Sequence, residues 1–288
     1  MRRRSLGSVK DGRFRFGFAG LGLGKRGDAM QLNDIVDLER FALGDAAFIR
    51  QCRETLDRDG VLVLPDFLRA DALAMVHAES VGKQDRAYFC AQNHSVYLTP
   101  HNAEFGDDHP ANRQVVSSKG CICDDEVAED SPLRLLYNHP DFRGFVAGTT
   151  GQAELHPYAD TLSSINVHYA GRGQELGWHF DNSSFAITLL IQKPDAGSRF
   201  EFIKDLRDAK AGRMNYEGVE DLLDGRVQPD VLTMEAGTLV LFRGRNSIHR
   251  VSPNESDKMR MLAVLAYNAE ADVSLSENVR MTFYGRLS

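Results

Sequence analysis

The sequence has little that would tie it to a membrane, to an oxidising compartment or to nucleic acid. No apolar stretch approaches the ~20 residues that cross a bilayer, and none has the Lys-rich polar face of a helix that lies on one. Cysteine is scarce: Cys52, Cys90, Cys121 and Cys123 make no C-x-x-C pair, and the last two are too close for an ordinary structural disulfide. Buried thiols in a reducing cytoplasm are therefore expected. Positive charge is also scarce beyond residue 29, where 26 Lys and Arg face 39 Asp and Glu, a formal charge of −13. A surface that acidic repels phosphate backbones and argues against a nucleic-acid partner.

The basic residues that do stand out are eight in residues 1–29, with seven glycines and only two aspartates. Its one apolar stretch, FGFAGLGLG, is short and half glycine, unlike the core of a secretory signal. Residues 1–29 read as a flexible basic extension. The remainder, 30–288, has the length and apolar content of one soluble globular domain.

Two textures divide that domain. In 30–158 the apolar spacing of LNDIVDLERFALGDAAFIRQCRETL predicts a helix from Leu32 to about Leu56. A short buried strand, Val61 to Leu64, follows, and then a helix from Asp71. From His94 to Asp130 the chain is polar and reads as loop. PLRLLYNHPDFRGFVAGTTG returns to helix. From 159 to 288, short strands predominate: SSINVHYA, the segment around His179, RFEFI, VLTM, GTLVLF, SIHRV and RMLAVLAYN, interrupted by the helical NYEGVEDLLDG. The expected fold is α+β, a jelly-roll core with N-terminal helices packed against it.

Three places offer a histidine followed two residues later by a carboxylate. His77 and Glu79 fall in a helix, where residues two apart point away from each other, and read as surface decoration. His139-Pro140-Asp141 precedes a helix and is explained by capping. His179 and Asp181 sit at the mouth of a strand, where residues two apart share a face and can reach one cation, with Trp178 and Phe180 on the other face. A carboxylate on an inward face needs a partner, and a metal ion is one.

Only one histidine follows Asp181, His249 in GTLVLFRGRNSIHRVSP. If Pro253 to Ser256 closes a four-residue hairpin, His249 pairs directly across from Arg260. An arginine beside a metal-binding histidine makes electrostatic sense when an anion lies between them, and its guanidinium is shaped to grip a carboxylate. Two histidines and one carboxylate on one side of a metal leave open positions, the arrangement found in non-haem Fe(II) oxygenases.

At this point the chain resembles the 2-oxoglutarate- and Fe(II)-dependent oxygenases, which have a double-stranded β-helix (cupin-like jelly-roll) fold and the pattern His-x-Asp…His…Arg. The likeness extends over most of 55–288. DDHPANRQVVSSKG, SSINVHYAGRGQELGWHFDNSSFAITLLIQ, GSRFEFI and the terminal FYGR are similar to the branch holding free-amino-acid hydroxylases and amino-acid halogenases. In those halogenases a small residue replaces the carboxylate and makes room for chloride; here Asp181 is present, which favours oxygenation.

The resemblance implies Fe(II) on His179, Asp181 and His249, with 2-oxoglutarate and O2 as cosubstrates and Arg260 on the distal carboxylate. It also implies oxidation of an aliphatic C–H of a small molecule, a free amino acid, with hydroxylation as the default. Desaturation or oxidative cyclisation needs the same ligands. Asn166 is a candidate for the cosubstrate, and Arg113 and Asn182 for the substrate. Leu262, Val264 and Ala266, on the face of Arg260, are expected to line an aliphatic pocket. Two other readings stay open: a metal-binding jelly roll without turnover, and a zinc hydrolase, which lacks a separate candidate base near the motif. The sequence leaves the oligomeric state open.

Overall fold

Runs of β-branched, aliphatic and aromatic residues broken by Gly, Pro, Asn and Asp build eleven strands among the residues that the structure, a computed structural model, describes, 30–288. The proposed extension 1–29 lies outside the described residues. The strands are β1 (Val61–Leu64), β2 (Tyr88–Ser95), β3 (Gln114–Ile122), β4 (Ile165–Ala170), β5 (Leu176–His179) and β6 (Ala186–Gln192), then β7 (Phe200–Ile203), β8 (Asp230–Leu232), β9 (Leu239–Phe242), β10 (Ile248–Val251) and β11 (Arg260–Leu265). Every pairing is antiparallel, in the order β1-β9-β6-β11-β4-β3-β5-β10-β7-β8, with β2 paired to β3. β3 is the hinge of this arrangement. Its residues Gly120 to Ile122 pair with β4, while Ser117 pairs with β5, so a wide strip and a narrow strip curl around one interior. This is the expected jelly roll.

The helices are α1 (Leu32–Ile35), α2 (Ala46–Asp59), α3 (Ala70–Gly82), α4 (Pro132–Asn138), α5 (Pro140–Thr150), α6 (Tyr216–Leu223) and α7 (Glu277–Tyr284). Helices α2 and α5 pack together through Phe48 and Phe145, whose rings stack at 5.9 Å. The single helix expected from Leu32 to Leu56 is broken. Val36 is extended and bridges to Leu68, and Asp45 starts a new helix by accepting the Phe48 N–H at 2.7 Å.

The largest departure from expectation is the stretch His94 to Asp130. It contains β3, nine residues long, and the end of β2, which pair over eight positions as a hairpin. The inward residues of this hairpin are Gln92, His94, Ser117 and Lys119, all of which line the central cavity. Because that face is polar, the alternation that marks a half-buried strand is missing from the sequence. It follows that the helical-then-strand division at 158/159 is not a structural one: β1, β2 and β3 belong to the same sheet as the strands that follow. His77 and Glu79 also differ from the surface reading. They part to different partners, His77 Nε2 to Gln192 Oε1 at 2.7 Å, and Glu79 to Lys83 at 2.8 Å and to the Ala128 N–H at 2.8 Å.

Among the described residues, no helix is long and apolar enough to cross a membrane.

Candidate metal centre and cosubstrate cavity

The curled sheet encloses a cavity of about 1100 Å³. At one end stand His179, Asp181 and His249, a set whose ligand atoms all lie within 4.8 Å of one another. His179 is the last residue of β5 and faces His249 of β10 in direct register. Asp181 lies two residues beyond, in the turn that leads to β6. Its Oδ1 is 3.6 Å from both His179 Nε2 and His249 Nε2. Trp178 and Phe180 point to the opposite side, into an apolar cluster with Val96, Tyr97, Val219, Leu222 and Ile248, as strand alternation requires.

The donor set fits a divalent transition metal. His179 Nδ1 lies 2.8 Å from the Gly177 carbonyl and His249 Nδ1 lies 3.1 Å from the Ser247 carbonyl, so each ring donates its Nδ1 proton to backbone and presents Nε2 as a free lone pair. Both histidines are buried. Phe242 and Phe200 flank the His249 ring at 4.8 and 5.6 Å, and burial together with the nearby His179 pulls His249 down to about 4, leaving it neutral and ready to ligate. Burial works against ionisation of Asp181, yet His249, His179 and Arg207 together hold its carboxyl below the usual range.

The backbone around Asp181 is braced from two sides. Its N–H donates to the Gly244 carbonyl at 3.0 Å. A side chain at 244 would collide with the carboxylate, since an added Cβ falls 1.8 Å from Asp181 Oδ2. Glycine is required here for space. Arg207 donates to the Arg245 carbonyl at 2.7 Å and to the Asp181 carbonyl at 3.4 Å, and lies 4.2 Å over the Phe180 ring. Neither Gly244 nor Arg207 was visible as a site residue in the sequence, because each acts on Asp181 from a distant segment.

The other wall of the cavity is basic. Arg260, 7% exposed, lines it, and its side chain makes no hydrogen bond or ion pair with any described residue. Burial pulls its guanidinium down to about 10, so it remains charged at neutral pH. Lys119 and His168 line the same region, and burial with the charges of Lys119 and Arg260 pushes His168 well below its ordinary value. A buried, unpartnered guanidinium is a costly feature that an anion would relieve. The residues fit a carboxylate at this end.

Arg260 reaches the cavity by a different route from the one expected. The four-residue hairpin placing it across from His249 does not form. β10 lies between β5 and β7, and β11 lies between β4 and β6. The connection crosses from one strip to the other. Asn254 pins it by donating to the carbonyls of Ala170 and Lys258, each at 2.9 Å, and by bridging to Gly197. His249 and Arg260 therefore line the cavity from different strips of the sheet.

The remaining candidates separate. Asn182 lines the cavity. Arg113 does not: its guanidinium pairs with Asp224 at 2.6 Å, at the start of the β3 strand and away from the lining. Asn166 is also committed elsewhere, its Nδ2 donating to the Leu162 and Ile165 carbonyls at 2.7 and 2.8 Å and its Oδ1 accepting from Tyr284 at 2.9 Å. Leu262 and Val264 line the cavity, whereas Ala266 lies past the end of β11 and is not among the lining residues. Arg243 and Arg250, two further arginines near β10, are neutralised by Asp57 and Glu201.

Fold and site together define a jelly-roll protein with a two-histidine, one-carboxylate cluster at one end of a cavity whose far wall carries the buried Arg260. The family model described as Halogenase D matches residues 44–282, and the chain belongs to that family. Three solved structures share the fold. A 2OG-Fe(II) oxygenase family oxidoreductase from Burkholderia pseudomallei is 14% identical, with 78% of this chain and 93% of that chain covered and a TM-score of 0.50. The carbocyclase SnoK from nogalamycin biosynthesis, described as non-heme and alpha ketoglutarate dependent, is 14% identical over 76% of this chain and 83% of its own, with a TM-score of 0.52. The epimerase SnoN, in complex with Fe3+, alpha ketoglutarate and nogalamycin RO, is 13% identical over 77% and 84%, with a TM-score of 0.51. No curated protein matches the chain by sequence.

Proposed function

We propose that the protein is an Fe(II)- and 2-oxoglutarate-dependent oxygenase that oxidises an aliphatic C–H bond of a small molecule, a free amino acid, with hydroxylation as the outcome. The observation that carries this reading is the pairing, in one cavity, of the His179/Asp181/His249 cluster with the buried, unpartnered Arg260. A buried cation facing the cluster fits a cosubstrate that chelates the metal at one end and carries a carboxylate at the other.

In this reading His179, Asp181 and His249 hold the iron and Arg260 takes the distal carboxylate of 2-oxoglutarate. When bound, the metal would supply, with 2-oxoglutarate and O2, the oxidation of a C–H bond, one oxygen atom going to succinate as CO2 leaves and the other to the substrate; the protein supplies position and shielding. The two backbone-anchored imidazoles fix the direction of the Nε2 lone pairs. Phe200 and Phe242 exclude water around His249, and Leu262, Val264 and Val251 offer an apolar wall to an aliphatic substrate. In this reading Asn182, which follows Asp181 and lines the cavity, hydrogen-bonds the substrate.

Halogenation is the reading that the family's description favours. Asp181 speaks against it, because a carboxylate whose Oδ1 stands 3.6 Å from both histidine donors occupies the place where a halide would bind the metal. The deciding experiment is an anaerobic titration of the Fe(II) protein with 2-oxoglutarate, followed by the weak visible charge-transfer band of a chelated keto acid. The band should form in the wild type and be lost in His249→Ala. A wild type with no band would return the protein to a metal-binding or hydrolytic role.

A further inference from the structure

Lys119 is the only lysine that lines the cavity among the described residues, and the sheet register gives it a specific place. The β3–β4 ladder pairs Cys121 with His168 and ends with Gly120 and Tyr169, and the same register carried one step further would set Lys119 beside Ala170. The β4–β11 ladder sets Ala170 opposite Arg260. Residues directly opposed on antiparallel strands share a face. Lys119, Ala170 and Arg260 thus form one row across three adjacent strands. At ~4.8 Å per strand the two outer backbones stand about 10 Å apart, and the His168 imidazole on the strand between them feels both charges.

Among the described residues, the surroundings hold the Lys119 side chain without giving it an ion-pair partner. Its Nζ is 3.2 and 3.3 Å from the two ring nitrogens of His168 and 5.2 Å from the centre of the Phe283 ring. No described carboxylate forms an ion pair with Lys119 or with Arg260; burial and, less strongly, the Arg260 charge lower Lys119 from its ordinary value, against the effect of Cys121, Cys90 and Asp181. Two like charges in a half-buried and a buried position repel, and the arrangement is stabilised by an anion between them.

We propose that Lys119 is the second cation of the cosubstrate pocket: together with Arg260 it grips the distal carboxylate over Ala170 and makes the pocket selective for a 2-oxo diacid. This rests on the oxygenase reading above. Arg260 supplies a planar pair of N–H donors from β11, and Lys119 supplies a point charge from β3, so the carboxylate is held from two sides.

The test is an anaerobic titration of the Fe(II) protein with 2-oxoglutarate and with 2-oxopentanoate, which chelates in the same way but lacks the distal carboxylate. The readouts are the visible chelate band and calorimetry. Lys119→Met should weaken 2-oxoglutarate about tenfold or more while leaving 2-oxopentanoate within about twofold, because only the diacid loses a buried charge partner. Lys119→Arg should restore most of the preference. Ala170→Leu, which fills the gap without removing charge, should weaken the diacid selectively as well.

Equal weakening of both acids by Lys119→Met would assign Lys119 a purely structural role and overturn the proposal. So would an unchanged preference for the diacid, which would leave the charge free for a substrate group. If the preference disappears in Arg260→Leu but survives in Lys119→Met, the oxygenase reading stands and the proposal alone falls. A wild type with no preference at all removes both.

Discussion

The Asp181 carboxylate occupies the volume that any side chain at position 244 would need: a Cβ on Gly244 falls 1.8 Å from Asp181 Oδ2, while the Gly244 carbonyl accepts the Asp181 N–H at 3.0 Å. The same glycine therefore anchors the backbone of the acid and makes room for its oxygens. Gly244→Ala should turn the carboxylate away from His179 and His249. Disturbing a group that orients a ligand typically costs about 10- to 100-fold in metal affinity, and that loss should appear in an anaerobic metal titration while cooperative unfolding is kept. Unchanged affinity would mean that Asp181 finds the metal from a different rotamer.

Arg260→Leu should raise the 2-oxoglutarate requirement sharply, since leaving a buried carboxylate without its partner loses about 2–5 kcal/mol of interaction. Metal affinity should change little, because Arg260 is not in the cluster of metal-ligand candidates. Steady-state turnover against 2-oxoglutarate concentration, with a separate metal titration, checks both halves. Arg243 and Arg250 cannot substitute, as Asp57 and Glu201 already hold them.

Chloride or bromide added with Fe(II), 2-oxoglutarate and an aliphatic amino acid should yield no halogenated product from the wild type. Mass spectrometry should show a gain of one oxygen or a loss of two hydrogens instead. Asp181→Gly removes one of the three protein ligands and should lose most oxygenation, while opening a place for a halide. Succinate formation without any change in every amino acid tested would leave the iron reading standing and refute the amino-acid substrate class.

Arg113→Ala should leave turnover within about twofold of wild type, because the guanidinium is spent on Asp224, in a partly exposed ion pair of the kind that contributes little. A KM for substrate that rises tenfold or more would bring Arg113 back to the site through a rearrangement of the loop before β3.

The metal cluster was legible because its members obey strand geometry: His179 and Asp181 share a face, Trp178 and Phe180 leave it, and one later histidine remained to join them. The basic wall was only half legible. Arg260 could be found, but the hairpin that seemed to deliver it was the wrong route, since the local pattern of Pro253 and Asn254 fits a tight turn as well as a crossing between strips. Lys119 and His168 were missed. Lys119 lies on a strand whose inward face is polar for the sake of the cavity, and the rule that finds strands looks for apolar alternation. Arg113 and Asn166 show the opposite error, polar residues whose partners, Asp224 and Tyr284, are too distant in sequence to be anticipated.

The basic wall sits inside a protein of formal net charge −7. A dianion approaching from bulk solvent meets a repelling exterior before it meets Arg260 and Lys119, and repulsion of that kind is damped beyond a screening length of about 10 Å at 0.1 M salt. Encounter and retention are then governed by different charges. Added salt eases the approach by masking the surface, whereas the buried cations, shielded by the sheet, keep their hold on whatever has entered. The ionic atmosphere thus acts on how quickly the cavity fills and scarcely on how slowly it empties.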